Sequence, residues 1–456
     1  MSLADGPVVP NGADGLSRDV RERVARWVPE GQALCVALSG GLDSTSLLDI
    51  LADDDFMRAR PVTAVHVHHG LSPHADDWVR HCERFCANHG VPLSVERVHV
   101  DRASPIGIEA AARVARYAVF AGRPERYLVL AHHLDDQAET VLLQLLRGTG
   151  LKGIAAMPEV RELRGAGIQL IRPMLDHPRE ALEAYAKAHA LRWVDDESNV
   201  ALAYERNYLR HEIAPRLAAR HGGWRESLAR FARHAAGANT LLDELATIDG
   251  VPTAPGDPFT LPEGLSEERR ANALRAFLAR NAVAMPSESR LAEMSRQLFE
   301  ARADARMRND HAGVSIVRHR NQAFVERALE PATPWRIDWQ REPAVRLGAE
   351  RGEVQFVASV GEGISRRALD QAGWYFAPRA GGETLRLGTG RPTRTLKNLL
   401  QEHDIATWHR ERLPLLFHNE RLVWVPGVGI ADEYACGPGE EGLKPLWKVA
   451  GKAPLC

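Results

Sequence analysis

The feature that most constrains the fold is a short apolar run that ends abruptly in paired glycines. Residues 33–38 are apolar without alternation, which is typical of a buried parallel strand, and a helical pattern follows the glycines. The loop between them reads Ser39-Gly40-Gly41-Leu42-Asp43-Ser44-Thr45. Paired glycines let the backbone approach phosphate oxygens, to which hydroxyls and a helix N-terminus can donate. We therefore predict a phosphate-binding strand–loop–helix unit, rather than a simple strand-to-helix turn.

The first half of the chain alternates such runs with helical patterns. Further strands are predicted at residues 62–67, 93–100 and 127–131, and helices at 76–89, 109–121 and 136–147. The last helix repeats apolar residues at i, i+3, i+4, i+7 and i+8, as an amphipathic helix does. This alternation predicts an α/β fold, with a parallel sheet that carries helices on both faces.

The pattern changes after about residue 215, and 456 residues are too many for one compact core. Helices are predicted at 224–245, 267–282 and 288–301, followed by a proline-containing linker near residues 330–343 and by β-rich runs such as 354–357 and 422–425. We therefore predict three domains: a catalytic domain at 1–217, a helical middle domain at 218–330 and a small α+β C-terminal domain at 331–456.

Composition excludes several classes of protein. With 45% hydrophobic and 26% charged residues and no apolar run of about 18 residues, the chain is neither disordered nor an integral membrane protein. The N-terminus has no signal-peptide pattern, and five cysteines without a C-x-x-C pair suit a reducing compartment, so a cytoplasmic location is expected. Cys82 and Cys86 are expected to be buried apolar residues rather than a metal pair. Because the net charge is −2, a nucleic-acid partner would need local basic patches.

The glycine loop has an acid where other phosphate loops have a lysine. The loop matches neither Gly-x-x-x-x-Gly-Lys-Ser/Thr nor Gly-x-Gly-x-x-Gly. A carboxylate at position 43 of a phosphate-binding loop is explained if Mg²⁺ bridges Asp43 and the phosphates of ATP. The sequence Ser-Gly-Gly-Leu-Asp-Ser resembles the signature of the PP-loop ATP pyrophosphatases. That resemblance implies an adenine nucleotide alpha hydrolase-like fold, ATP as co-substrate bound by Ser39 to Ser44, and AMP transfer onto a carbonyl-type oxygen. It leaves open the substrates of GMP, NAD and argininosuccinate synthetases and of tRNA thiolases.

A second polar motif follows the predicted strand at 127–131. It reads His132-His133-Leu134-Asp135-Asp136-Gln137-Ala138-Glu139-Thr140. One alternative is that Asp135 or Asp136 simply caps the N-terminus of the following helix and has no catalytic role. The density of polar residues exceeds what capping requires, and at the carboxyl end of a parallel strand it indicates a ligand crevice.

Further stretches narrow the family. They are residues 66–71, 107–117, 193–199, 206–215, 381–383, 396–402, 408–410 and 413–416. Together with both motifs they resemble the tRNA(Ile)-lysidine synthetase family. This resemblance implies that ATP adenylates the oxygen on carbon-2 of the wobble cytidine in the CAU-anticodon isoleucine tRNA. Free L-lysine then attacks carbon-2 and displaces AMP, which changes codon reading from AUG to AUA. The resemblance leaves the oligomeric state open, with a homodimer as one option.

The resemblance also implies roles for individual residues. Asp43, Asp135, Asp136 and His133 are expected to be catalytic, with Asp43 and Asp136 as Mg²⁺ ligands. The residues expected to bind substrate, by holding lysine or phosphate and RNA, are Glu139, Arg113, Arg116, Arg206 and Arg210. For the arginines, a merely solvated helix face is the alternative.

A basic segment in the C-terminal part suits tRNA backbone binding. Residues 379–412 contain seven basic and four acidic residues, a net charge of +3, with Trp408 among them. The basic residues are Arg379, Arg386, Arg391, Arg394, Lys397, Arg410 and Arg412.

Two other functions fit part of the pattern. A tRNA cytidine 2-thiolase uses the same loop, but it needs cysteines for sulfur transfer or an iron–sulfur cluster, and the chain has no C-x-x-C pair. A non-catalytic tRNA-binding protein with a nucleotide fold would not need the loop acid and the carboxylate-rich second motif, both of which are intact.

Overall fold

The computed structural model describes residues 13–163, 165–195, 197, 205–300, 307–327, 335–348, 351–403, 405, 410 and 413–448. The chain divides into two compact units, Met1–Leu242 and Asp243–Cys456. Within the described residues, no helix is both long enough and apolar enough to cross a membrane.

The first unit is built on a six-stranded sheet with the order β3-β2-β1-β4-β6-β5. Its strands are β1 (Leu34–Ala37), β2 (Val62–His68), β3 (Leu93–Arg97), β4 (Tyr127–Val129), β5 (Val160–Leu163) and β6 (Ile168–Ile171). All neighbours pair in parallel except β5, which is antiparallel to β6 at the edge. The chain between residues 163 and 168 is too short for a parallel crossover, so these two strands form a hairpin. The predicted parallel sheet is confirmed.

Helices cover both faces of this sheet. Leu34 and Val36 of β1 belong to a core cluster shared with α1, α2, α4 and α8, whereas Cys35 points into a second cluster with Phe120 of α5. The helices are α1 (Ala13–Trp27), α2 (Leu42–Leu51), α3 (Asp54–Ala59), α4 (Ala75–Asn88), α5 (Ile108–Ala121), α6 (Leu134–Leu146), α7 (Leu151–Ile154), α8 (Arg179–Ala188), α9 (Glu205–Tyr208), α10 (Ala214–Arg220) and α11 (Trp224–Ile248). A π-helical turn, Leu209–Ile213, joins α9 to α10.

The sheet topology brings the polar motifs to one edge. The glycine loop follows β1, His69 follows β2, the second polar motif begins three residues after the end of β4, and Arg172 follows β6. These four strands are parallel neighbours, so their carboxyl ends meet at the same edge. Strand order reverses between β1 and β4, and the crevice at such a switch point is where ligands bind in open α/β sheets.

The middle part of the chain combines helices with an antiparallel sheet. Its helices are the end of α11, α12 (Glu267–Arg280) and α13 (Glu288–Glu300), and its sheet has the order β7-β10-β9-β8. The strands are β7 (Phe259–Thr260), β8 (Met307–His311), β9 (Val314–His319) and β10 (Gln322–Arg327). Ala312 and Gly313 join β8 to β9 with φ of 48° and 77°, the left-handed pair of a tight hairpin turn. The sequence predicted the helices of this part but not its sheet.

Strands dominate the C-terminal part. Two antiparallel sheets have the orders β11-β15-β18-β19-β20 and β12-β13-β21-β14, and β16 pairs with β17. Trp339, Trp374, Phe356, Phe376 and Trp424 lie in its buried core. The elements are β11 (Ile337–Asp338), β12 (Ala344–Arg346), β13 (Glu353–Val360), β14 (Ile364–Ser365), α14 (Arg366–Leu369), β15 (Trp374–Ala377), β16 (Thr384–Leu385), β17 (Arg394–Thr395), α15 (Leu396–Glu402), β18 (Leu415–His418), β19 (Arg421–Val425), β20 (Gly429–Ile430) and β21 (Glu441–Lys448). The predicted β-rich character is confirmed, and because the two helices described in this part are short, it is a small, mainly β domain rather than the predicted α+β domain.

Candidate active site

The glycine loop is a closed turn held by its own hydroxyls. The Oγ atoms of Ser39 and Ser44 lie 2.9 Å apart, and the backbone N–H of Ser39 donates to Ser44 Oγ at 3.1 Å. The N–H of Gly41 donates to Ser39 Oγ at 3.3 Å, and Ser44 Oγ donates to the carbonyl of Gly41 at 3.2 Å. Leu42 begins α2 directly after this turn, so the N-terminus of a ten-residue helix opens onto the crevice.

Gly40 has no room for a side chain. Its φ is +89°, and a Cβ at this position would lie 2.8 Å from Cγ2 of Val194 and 3.1 Å from Sγ of Cys82. The carbonyl of Gly40 accepts a hydrogen bond from the N–H of Val194 at 2.9 Å. The segment around Val194 therefore packs on the back of the loop, and only glycine allows that close approach.

Asp43 presents one free oxygen at the start of α2. Its side chain is 31% exposed, and Oδ2 lies 3.6 Å from Nε2 of His133. Oδ1 is inaccessible to solvent, and no described residue forms a hydrogen bond with it. Mg²⁺ is commonly held by one or two carboxylates together with phosphate oxygens, so this oxygen fits the role of a metal ligand.

His133 lies at the centre of three aspartates. It is 1% exposed; Nε2 is 3.5 Å from Asp136 Oδ2 in addition to its contact with Asp43, and Nδ1 is 3.6 Å from Asp135 Oδ2. Burial alone would lower the pKa of His133, but the three carboxylates outweigh burial and raise this pKa to about 10. The imidazole is therefore a cation surrounded by three carboxylates.

Asp136 also has a capping function. His133 is the N-cap of α6, and its backbone N–H donates to Asp136 Oδ2 at 3.1 Å. The other oxygen, Oδ1, lies 3.2 Å from Arg210 and 3.5 Å from Arg206. Burial disfavours ionisation of Asp136, but His133 and Arg206 hold its pKa well below its usual range. The capping interpretation of the sequence thus describes one of several contacts that this carboxylate makes.

Asp135 connects three helices. Its Oδ2 accepts a hydrogen bond from the N–H of Arg179, the first residue of α8, at 2.9 Å, and its Oδ1 pairs with Arg225 of α11. Although burial raises the pKa of Asp135, contacts with His133 and with the Arg179 backbone lower it to about 2. No sequence pattern indicated Arg179 and Arg225 as partners of Asp135, because their helices approach α6 only in the folded chain.

Glu139 forms a buried ion-pair cluster with two arginines. Its side chain is 3% exposed; Oε2 accepts from Nε of Arg206 at 2.9 Å, and Oε1 from Nε of Arg210 at 2.7 Å. Arg206 lies in α9, and Arg210 lies in the π-helical turn that follows it. The structure thus brings together three of the five residues predicted to bind substrate and binds them to one another.

Arg113 and Arg116 lie apart from this ion-pair cluster. Both are in α5, where Arg113 is exposed and Arg116 is largely buried with Arg172 and two histidines nearby. Burial and Arg116 lower the pKa of His69 to about 4, and burial lowers the pKa of His132 to about 3. These two imidazoles are therefore neutral at pH 7.

The cysteines of the first unit offer no thiolate. Cys82 and Cys86 are buried in the apolar cluster around α4, as the sequence predicted, and Cys35 is buried on the opposite face of the sheet. Burial raises the pKa of Cys82 to about 12 and that of Cys86 to about 11. Sulfur chemistry of the kind that a thiolase needs has no reactive group among these residues.

The basic C-terminal segment is described only in part. Arg379 lies 3.4 Å from Glu383, Arg386 lies 3.3 Å from Asp432, and Arg394 pairs with Glu402. Arg391 and Lys397 are exposed, and no ion pair within 4.0 Å is found for either among the described residues. Trp408 and Arg412, like Asp196, Ser198 and Asn199 of the earlier motif, lie outside the described residues.

Comparison with known proteins gives three family matches along the chain. Residues 16–217 match a PP-loop domain, residues 263–324 match a TilS substrate binding domain, and residues 376–447 match a TilS substrate C-terminal domain. A tRNA(Ile)-lysidine synthase of Nitrosomonas europaea is 39% identical over 426 residues, covering 92% of this chain and 93% of that protein. Proteins of the same name from Azoarcus sp. (strain BH72) and Ralstonia nicotianae are 41% and 43% identical, over 92% and 87% of this chain and 92% and 88% of their own length.

Proposed function

Because the chain belongs to the tRNA(Ile)-lysidine synthase family, we propose that it ligates free L-lysine to carbon-2 of the wobble cytidine in the CAU-anticodon isoleucine tRNA. The reaction consumes ATP and yields lysidine, AMP and pyrophosphate. The observation that carries this proposal is the convergence of the glycine loop, Asp43 and the His133–Asp136 pair at the carboxyl ends of β1 and β4. We further propose a cytoplasmic location, because the chain has few cysteines and no C-x-x-C pair.

The chemistry requires activation of a poor leaving group. The oxygen on carbon-2 of the cytidine attacks the α-phosphorus of ATP, the bond to the bridging oxygen breaks, and pyrophosphate leaves with its electron pair. The neutral ε-amine of lysine then attacks carbon-2, AMP leaves with the former carbonyl oxygen, and the nitrogen of the new C–N bond loses a proton to solvent. Both steps depend on positioning and charge stabilisation more than on covalent catalysis by the protein. Residues 39–44 would hold the phosphates through backbone N–H groups and hydroxyls.

Asp43 is the residue that we propose as the primary Mg²⁺ ligand. Its Oδ1 lacks a hydrogen-bond partner among the described residues. Asp136 is the second proposed ligand, and it contributes only by giving up a contact with His133 or with an arginine. When bound, the metal supplies charge neutralisation for the departing pyrophosphate. His133 would add a positive charge at the same place and position both carboxylates.

Glu139 and Asp136 are the carboxylates that we propose for the ammonium groups of lysine. In the structure the guanidinium groups of Arg206 and Arg210 satisfy these carboxylates, as a lysine ammonium would. Both arginines are partly exposed, at 31% and 25% of their side chains, so they can also reach RNA phosphates. Asp135 is proposed to act by orienting His133.

The C-terminal part is proposed to bind the tRNA backbone. Within the described residues of the basic segment 379–412, Arg391 and Lys397 are exposed and have no ion pair within 4.0 Å. Their double substitution by alanine should lower the salt dependence of tRNA binding by about two units of slope, because each lost phosphate contact removes about one counterion. The matched control is Arg394→Ala, which removes an arginine already neutralised by Glu402. Equal slopes for the wild-type and doubly substituted proteins would contradict this role.

One assay tests the proposed reaction directly. Purified protein is incubated with labelled lysine, ATP and an isoleucine tRNA transcript that carries cytidine at the wobble position. We expect label in the RNA and one pyrophosphate released per lysine incorporated, and neither with a transcript that carries uridine there. RNA binding without pyrophosphate release would support the non-catalytic alternative, and sulfur incorporation in place of lysine would support the thiolase.

A further inference from the structure

A second cluster at the sheet edge is rich in positive charge and poor in acids. At its centre Arg172 follows β6 and is 2% exposed, yet no carboxylate lies within 4.0 Å of it in the described part of the chain. Its Nη1 donates to the backbone carbonyl of Pro158 at 2.8 Å. A buried guanidinium normally has a carboxylate partner, because the desolvation of an unpaired charge costs several kcal/mol.

Three more arginines surround Tyr117, with which Arg172 also interacts electrostatically. Tyr117 of α5 accepts a hydrogen bond from Nη2 of Arg113 at 3.2 Å, and Cζ of Arg113 lies 4.8 Å from the centre of its ring. Arg116 and Arg161 each lie 6.0 Å from that centre. Like Arg172, these three arginines have no ion-pair partner within 4.0 Å among the described residues. The aromatic ring attracts each cation but supplies no negative charge.

Several polar atoms of this cluster lack a partner among the described residues. Nε of Arg116 and Nε of Arg172 are inaccessible to solvent and form no hydrogen bond with any described residue, and the same holds for Nδ1 of His69 and Nδ1 of His132. His69 and His132 follow β2 and β4, so both lie at the edge where the strand ends meet. Buried polar atoms without partners are rare in folded proteins, and a group of four points to a missing ligand.

The neighbouring aspartate cluster provides an internal comparison. There the carboxylates of Glu139, Asp136 and Asp135 are paired with the guanidinium groups of Arg206, Arg210 and Arg225, respectively. In this cluster each of these carboxylates therefore has a cationic partner from the same unit. The described arginines around Tyr117 have no carboxylate partner, and a bound anion would balance their positive charge.

We propose that Arg116, Tyr117, Arg172, His69 and His132 form an anion pocket that binds a phosphate group in addition to those bound by the glycine loop. The inference rests on the proposed function only in naming the phosphates at hand, which are those of ATP and of the tRNA backbone. Guanidinium groups and neutral imidazoles can all donate to phosphate oxygens, and arginine forks match phosphate geometry. ATP and tRNA both carry phosphate groups, so separate measurements of ATP binding and of tRNA binding identify which of the two the pocket holds.

The test uses Arg172→Met in the full-length protein, with Arg23→Met as the matched control. Methionine keeps the buried volume and removes the charge. Arg23 is also a buried arginine of the first unit, but it pairs with Asp19 and Asp176, each at 2.8 Å. ATP affinity is measured by calorimetry, and affinity for the CAU-anticodon isoleucine tRNA by filter binding at several salt concentrations.

If the pocket holds an ATP phosphate, Arg172→Met should weaken ATP binding at least tenfold and leave tRNA binding unchanged. If it holds an RNA phosphate, tRNA affinity should fall at least tenfold and the salt slope by roughly one unit, with ATP binding unchanged. Arg23→Met should change neither affinity but lower the melting temperature, because it removes the guanidinium shared by two half-buried carboxylates. Among the described residues, Asp19 then keeps only His177 and Asp176 only Arg233 as ion-pair partners. Arg172→Met should melt no lower than the wild type, because it removes an uncompensated charge.

Unchanged affinity for both ATP and tRNA in Arg172→Met overturns the proposal, whatever the melting temperature. Should this variant fail to fold, Arg116→Met in the same two measurements decides by the same criterion. Neither measurement depends on turnover. A wild-type protein that forms no lysidine would therefore refute the proposed function, while the anion pocket would stand or fall on the binding data alone.

Discussion

Alanine in place of Gly40 should disable the glycine loop, with a cost that follows from its geometry. The positive φ of +89° penalises a residue with a Cβ by about 1–2 kcal/mol. The new Cβ would also lie 2.8 Å from Val194 and 3.1 Å from Cys82, and such overpacking costs about 1–3 kcal/mol. The sum of about 2–5 kcal/mol corresponds to a fall in melting temperature of roughly 4–20 °C for a unit of this size.

Gly41→Ala is the matched control for this prediction. Gly41 has φ of −75°, and its added Cβ would have its nearest neighbour, Ser39 Oγ, at an ordinary 3.5 Å. We expect a stability loss of about 1 kcal/mol or less, the difference between glycine and alanine at a helix N-cap. Thermal unfolding and ATP titration calorimetry compare the two variants with the wild type. The geometric reasoning is refuted if Gly40→Ala melts together with Gly41→Ala and binds ATP as the wild type does.

Three further predictions follow from the ionised groups. Asp43→Asn should lower pyrophosphate release at least about a hundredfold. Its melting temperature should change little, because Oδ1 has no hydrogen-bond partner among the described residues to lose. Normal pyrophosphate release by this variant would exclude the metal-ligand role. Glu139→Gln should lower the free energy of unfolding in urea by about 3 kcal/mol, because it leaves buried guanidinium groups without their carboxylate. The double variant with Arg210→Met should recover part of that loss. If Glu139→Gln alone is as stable as the wild type, the ion-pair cluster contributes nothing to stability. The pKa of His89 is raised by its hydrogen bond to Asp49, and that of Asp49 is lowered by His89 and Tyr185 against burial. Stability from His89 is therefore complete below pH 6.5 and is lost as pH rises through its raised pKa, whereas stability from Asp49 is lost as pH falls below its usual value of 3.8. The stability difference between wild type and Asp49→Asn should be largest between these limits, and a difference independent of pH would contradict the pairing.

Local pattern in the sequence determined the architecture of the first unit and the chemistry of its loop. An unbroken apolar run before Ser39 can only be a strand covered on both faces, and an acid at position 43 in place of a lysine separates this loop from other phosphate loops. These properties depend on residues within a few positions of one another, which is the range over which periodicity and turn chemistry act. The small antiparallel sheet at 307–327 escaped prediction because its strands gain stability from pairing across tight turns more than from a pattern of their own.

Tertiary structure alone decided which charged groups meet. Glu139 and Arg206 are 67 residues apart in the sequence, which is far beyond the range of any helical or strand periodicity. They meet because α9 and the π-helical turn pack against α6. Arg172 shows the opposite case, since the sequence gives no sign that an arginine after β6 is buried without a carboxylate. Charge balance in a folded protein is set by which side chains are removed from water together, and that depends on distances between elements that pack only after the chain has folded.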